Sequence, residues 1–290
     1  MVDSTRIADI AQQHPDRIRT LEQRTIAAAT QPLAQALTAA QAAAVTRWVR
    51  DTAHQQIGPI GDALQKLIDY VRQLLRNAFA DKGKQAQHLT ERAAFNAAQI
   101  SARQASGIAA AMRGQAPPPL DVEVGDDAQQ TCEAIPQAVE EEHGAALVLL
   151  TTAGLTAMGL AGLNSIFKRA RRAVGRIAQH AATALTQAAA NASRLAALAL
   201  GSGVRLLWVA EPDACAACAA YAGLHIRPGG QFVGGLSLDP QRTVFTSPTP
   251  GPPRHPHCRC VLIPWSPSWR LDGPPLPTLL RQRARNARRP

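Results

Sequence analysis

The feature that most limits what this chain can fold into is the smallness of its apolar side chains. Alanine recurs in runs across the 290 residues, while Phe, Trp and Tyr together make up only 4%. Alanine has the best intrinsic helix propensity and no side-chain entropy to lose, but it buries little area. Such a chain gains stability from helices that approach closely rather than from one voluminous core. No strand–helix alternation is present, which argues against an α/β enzyme fold. The expected class is mostly α: a long Ala-rich helical body with a small loop-rich α+β Cys/His module near the C-terminus.

Hydropathy and punctuation divide the chain into five parts. Residues 1–113 form a helical N-terminal region. Its clearest helix is 62–80, where Leu64, Leu67, Ile68, Val71, Leu74, Leu75 and Phe79 recur at three- and four-residue steps. Asp62 suits an N-cap with Gln65 three residues on, and Gly83 suits the stop. Pro32 and the Gly58-Pro59 pair read as breaks in what precedes it. A weaker helix over 91–112 carries Phe95, Ile100, Ile108 and Met112. Residues 114–130 are a Pro-rich acidic linker, in which Pro117-Pro118-Pro119 favours an extended, exposed path. Residues 131–203 read as apolar, then basic helices. Residues 204–269 form the Cys/His module, with strands at Arg205–Val209 and Val261–Ile263. Residues 270–290, with Arg281, Arg283, Arg285, Arg288 and Arg289, read as a disordered Arg-rich tail.

Charge is unevenly placed. The formal net charge is +10, with 14 basic and 17 acidic residues in 1–143 against 17 and 4 in 144–290. A basic half suggests contact with a polyanion, possible partners being an acidic protein surface or double-stranded DNA held nonspecifically by the arginines of the tail. Solvated helix faces would give the same count. The stretch Ala145–Leu163 holds 19 residues without a charge, after Glu140-Glu141-Glu142 and before Lys168, Arg169, Arg171 and Arg172. Its length and basic flank would suit a bilayer. Its small residues and lack of aromatics favour a helix buried against other helices or subunits, with Gly154, Gly159 and Gly162 allowing close approach. The opening residues Met1–Arg6 lack an apolar core, so no secretory signal is expected.

Four of the five cysteines fall in two pairs, Cys215-x-x-Cys218 and Cys258-x-Cys260, and His255 and His257 adjoin the second pair. A C-x-x-C turn directs two thiolates at one ion, and residues i and i+2 share a face if they lie on a strand. Sulfur with imidazole favours zinc over magnesium or calcium. The expectation is one structural zinc on Cys215 and Cys218, with Cys258, Cys260 and His255 competing for the other two places. Packed thiols or late disulfides are the alternatives. Cys132 stands apart as a simple thiol.

These residues carry a resemblance. The order Trp208, Asp213, Cys215-x-x-Cys218, Gly223, Phe232, Pro252-Pro253, His255-Pro256-His257-Cys258-Arg259-Cys260, Pro264 resembles the C-terminal domain of the phage Mu F-like head morphogenesis family. The resemblance covers about residues 165–264 and is strongest from 204 on. The family places a glutamate on the helix before the tryptophan, whereas this chain reads Ile177-Ala178-Gln179-His180 there. The resemblance implies a minor head (minor capsid) protein. It would act at the portal or inner shell beside the portal and other capsid proteins, assisting head assembly and DNA packaging or ejection. Its place would be the virion, and the host cytoplasm during assembly.

No G-x-S-x-G, H-E-x-x-H or P-loop pattern occurs, so an enzyme is not expected. Two other readings stay open. One is a metal-dependent nuclease with an open three-ligand site. The other is a membrane-active or toxin-like phage effector using 145–163.

Overall fold

The computed structural model describes residues 2–52, 61–242 and 244–288. In chain order the elements are β1 (Val2–Asp3), α1 (Ser4–Thr52), α2 (Asp62–Phe79), α3 (Lys82–Arg113), α4 (Asp126–Val148), α5 (Thr152–Ala170) and α6 (Arg172–Ala199). Then follow β2 (Arg205–Val209), α7 (Ala216–Ala219), β3 (His225–Ile226), β4 (Val261–Trp265), β5 (Leu271–Asp272) and α8 (Leu276–Asn286). The fold is mostly α, with its strands concentrated in the Cys/His region. The expected break at Gly58-Pro59 lies outside the described residues.

The chain forms two compact units. One comprises Met1–Arg24, Thr90–Thr131 and Ala181–Pro290, and the other Thr25–Leu89 and Cys132–His180. The expected boundary at 114–130 therefore does not separate units. Residues 114–125 are non-helical, as expected of the triple proline. They belong to the same unit as the Cys/His module, and Asn191 Nδ2 donates to the Glu123 carbonyl at 3.2 Å. Helix α4 starts earlier than expected, at Asp126.

The all-helical unit is built on the stripe of α2. Leu64, Leu67, Ile68, Val71, Leu75 and Phe79 meet Leu33 and Leu37 of α1, Ile135 and Val139 of α4, and Leu163, Ile166 and Phe167 of α5. That burial carries α1 straight through Pro32, where a break was expected. A proline removes one hydrogen bond and costs roughly 3 kcal/mol, which the flanking buried Ala29, Leu33 and Leu37 offset. Asp62 is the first helical residue, with Gly61 as the cap, so it does not cap through its side chain. Nor is Gly83 a stop. The left-handed residue after α2 is Asp81 (φ 57°), and Gly83 lies inside α3, where an added Cβ would stand 2.8 Å from Pro136 Cα. Absence of a side chain there permits a close helix–helix approach.

The expected single helix over Ala145–Leu163 is broken. α4 ends at Val148, and Thr151 caps α5 by accepting from Gly154 N at 3.1 Å. The direction of Asp126–Val148 differs by 103° from that of the stretch Thr152–Ala199 that follows it. Gly159 (φ 55°, ψ −134°) introduces a second kink, in a region of backbone space that essentially only glycine occupies. Leu155, Gly162 and Leu163 are buried, whereas Val148, Leu149, Met158 and Leu160 are exposed. Among the described residues no single helix is long and apolar enough to cross a membrane, although the bent pair passes on length and composition. The charged flanks have an internal use: Glu142 pairs with Arg169 at 2.5 Å and Glu141 with Arg176 at 3.8 Å.

The other unit explains the alanines. Ala93, Ala94, Ala97 and Ala98 of α3 and Ala181, Ala184, Ala188 and Ala192 of α6 are buried, alongside Ile7, Ala11 and Ile18 of α1. Small side chains let these backbones approach closely. The module adds an antiparallel sheet ordered β3-β2-β4, with Leu206 opposite Ile226 and Trp208 opposite Leu262. Trp208 is fully buried, 5.0 Å from the Tyr221 ring and 5.1 Å from Phe232, edge to face with the latter. Gly223 is left-handed (φ 73°), and a Cβ there would stand 2.0 Å from the Pro277 carbonyl oxygen. A second, two-stranded sheet joins β1 to β5, parallel, over two residues.

The stretch 270–290 is not a disordered tail. Residues 276–286 form α8, which buries Leu276, Leu280 and Ala284. Those three residues recur at four-residue steps, an apolar stripe hidden among arginines.

Candidate metal centre

Each half of the site is fixed by local structure. Cys215 caps α7 with extended backbone (φ −62°, ψ 162°), and its sulfur accepts from Cys218 N at 3.4 Å. One helical turn thus turns both sulfurs toward the same point. The second half is the loop 255–260, where His257 takes a left-handed conformation (φ 61°) and Cys258 N bonds the His255 carbonyl at 3.1 Å. Cys258 and Cys260 precede β4 instead of lying on it, so the turn aims their sulfurs, not strand alternation.

These two halves meet. Cys218 Sγ lies 3.7 Å from Cys258 Sγ, and Cys215 Sγ lies 3.4 Å from His255 Nε2. Ligand atoms of Cys215, Cys218 and His255 fall within 4.8 Å of one another, as do those of Cys218, Cys258 and Cys260. Two sulfurs bound tetrahedrally at about 2.3 Å from one ion stand about 3.8 Å apart, and a sulfur and an imidazole nitrogen about 3.6 Å apart. Both observed separations match such edges, while a disulfide requires about 2.05 Å. His255 Nδ1 lies 2.7 Å from the Pro256 carbonyl, to which it donates, leaving Nε2 aimed at Cys215. The cluster can hold a metal ion. Cys218 is common to both triads, and its thiol contacts the sulfurs of Cys215, Cys258 and Cys260.

The proton distribution within the cluster follows from these contacts. Hydrogen bonds from Cys218 and then His255 bring the Cys215 thiol down to about 4. The bond to Cys215 raises His255 to about 9, outweighing burial. Cys258 is held well below the ordinary thiol range by Cys218 and Cys260. Cys218 is pushed up, first by the neighbouring sulfurs of Cys215, Cys258 and Cys260, which favour its protonated form, and then by burial. Cys260 also gains from Cys218, but contact with Cys258 and complete burial push it up on balance. Two thiolates beside two thiols is an environment that a cation would stabilise by displacing the remaining protons.

The loop is held from outside by groups the sequence did not single out. Arg259, between Cys258 and Cys260, gives Nε to Glu22 Oε2 at 2.7 Å and its backbone N–H to Glu211 Oε1 at 3.1 Å. Glu22, on α1, is 1% exposed. Glu211 also receives Arg19 Nη2 at 3.1 Å, and Thr186 of α6 donates to the Cys258 carbonyl at 2.9 Å. His257, which also adjoins the second cysteine pair, instead faces Glu22 Oε1 at 3.1 Å and is not part of the cluster.

Two of the arginines expected to contact DNA have partners within the chain. Arg283 bonds Asp9 and Gln12, both at 2.7 Å, and Arg288 donates to the Ala214 carbonyl at 2.6 Å. Arg285 is exposed and Arg281 half-buried on α8, and Arg289 lies outside the described residues.

No family model, curated protein or solved structure matches the chain.

Proposed function

We propose that the module is a structural zinc site and that the chain is a minor head protein of the Mu F-like kind, without catalytic activity of its own. The observation that supports this most is the convergence of Cys215, Cys218, His255, Cys258 and Cys260 around the buried Trp208 and Phe232. These are the residues that carry the resemblance. Zinc is favoured by the donor chemistry, sulfur with imidazole in tetrahedral spacing. With four protein ligands drawn from five donors the site is closed, so the ion would hold the loop 255–260 to the turn 215–218. A cross-link between distant segments adds most to a small loop-rich module. The test of function is mass spectrometry of purified particles from a strain that encodes the chain. The reading expects the full-length chain in the particle at a few copies. Particles that assemble normally and lack it would overturn the reading.

The exposed Val148, Leu149, Met158 and Leu160 favour the membrane-active alternative. Flotation of the purified protein with liposomes would support that alternative over head assembly.

A further inference from the structure

We propose that one end of the three-stranded sheet is a binding site for the phosphate backbone of a polynucleotide, built by Arg205, Arg227 and Arg281 around His225. The site does not depend on the metal reading. Arg205 on β2 is paired with Trp265 on β4, and Leu207 with His225 on β3. Directly opposed residues of antiparallel strands share a face, and so do alternate residues. Arg205, His225 and Trp265 therefore lie on one face, while Leu206, Trp208 and Leu262 feed the core on the other. Extending the β2–β3 register one step past Ile226 places the exposed Arg227 beside Arg205.

Side-chain contacts agree with this register. Arg205 Nη1 donates to His225 Nδ1 at 3.2 Å, and the imidazole lies against Trp265, tilted by 31°, with centroids 4.9 Å apart. Burial first, then the charges of Arg205 and of Arg281 on α8, hold His225 below its ordinary value. The ring therefore accepts from Arg205 and presents Nε2–H as a further donor.

Positive groups gathered in this way repel one another unless an anion joins them. Arg19, Arg259 and Arg283 of the same unit pair with carboxylates. Arg205, Arg227 and Arg281 have no carboxylate partner among the described residues. Guanidinium groups match phosphate geometry. Three of them, on β2, just past β3 and on α8, exceed what one phosphate needs, which points to a polymer of phosphates.

The test is fluorescence anisotropy of the full chain with a DNA duplex of about 20 base pairs and a single strand of equal length, at about 50 and 200 mM salt. Each phosphate contact contributes about 0.9 to the slope of log affinity on log salt, so R205Q/R227Q/R281Q should lower the slope by about 2.7. Between those salt concentrations the wild type should then lose affinity about 40-fold more than the variant does. A charge-matched variant elsewhere, R50Q/R171Q/R172Q, should keep the wild-type slope. Should the first triple fail to fold, each single substitution is read instead, at about 3.5-fold apiece over the same interval. Equal slope losses in the two triples would overturn the proposal, as would binding of inorganic phosphate with no binding of either DNA.

Discussion

Replacing Glu22 with Gln tests how far the metal loop depends on a residue more than 230 positions away. The substitution keeps the shape and removes the charge. Glu22 is 1% exposed and accepts from Arg259 Nε at 2.7 Å and Arg259 Nη2 at 3.3 Å, and it faces His257 Nδ1 at 3.1 Å. The Arg259 side chain is 20% exposed, and its other carboxylate, Glu211, lies 3.6 Å away. In the variant the guanidinium keeps one distant partner and meets an amide donor where it had an acceptor. Charge-assisted hydrogen bonds contribute about 1.5–3 kcal/mol each, and breaking a buried pair costs about 3–5 kcal/mol. With Glu211 as partial compensation, a loss of about 3 kcal/mol is expected. For a chain of this size that lowers the melting temperature by about 6–12 °C. Because Arg259 lies between Cys258 and Cys260, zinc affinity should also fall, by about 10–100-fold as for other outer partners of metal ligands. Differential scanning calorimetry and competition with a chromogenic chelator read the two effects. A double-mutant cycle with Arg259→Gln should give a coupling of about 2–3 kcal/mol. A variant that melts with the wild type and holds zinc equally well would show that Glu22 does not support the loop.

Three further outcomes are expected. Burial, then the Arg17 charge, lower His14 from 6.5 to about 4. The folded state stays neutral while the unfolded chain takes up a proton, so stability is complete above 6.5 and about 3 kcal/mol is lost as pH falls toward 4. His14→Gln should flatten that part of the melting-temperature profile, and parallel profiles would contradict it. Gly159→Ala should cost about 1–3 kcal/mol through backbone strain, since the nearest neighbour of an added Cβ, Trp48 Cζ2, is 3.7 Å away and leaves room; an unchanged urea midpoint would count against the kink. Deleting residues 276–290 removes two buried leucines, each about 1.5–3 kcal/mol, and should lower the melting temperature, whereas a disordered tail would leave it unchanged.

What the sequence revealed follows from the range of the forces involved. The stripe of α2 and the strands β2 and β4 were legible because their periodicity is local. The five candidate donors were legible because sulfur and imidazole at short spacing have few other uses. Helix breaks were less so. Pro32 predicts a break on local grounds, and tertiary burial of Leu33 and Leu37 overrides it. The Thr151 cap was a local signal, but the uniform apolarity of 145–163 masked it. The stripe Leu276, Leu280, Ala284 was hidden by the arginines between. Glu22 could not have been found, because nothing near it distinguishes a buried carboxylate and its partner lies 237 residues on. Glu211 carried a faint signal as the first acid after the acid-free stretch from Gly144 to Ala210.

Whether the five converging donors hold one ion is read from metal analysis of the full chain purified under reducing conditions. One zinc per chain is expected. Cys218→Ser, which removes the sulfur common to both triads, should lose the metal and unfold the module, because binding free energy here is folding free energy. Less than about a tenth of an equivalent of zinc in the wild type, with the module still folded, would contradict this expectation.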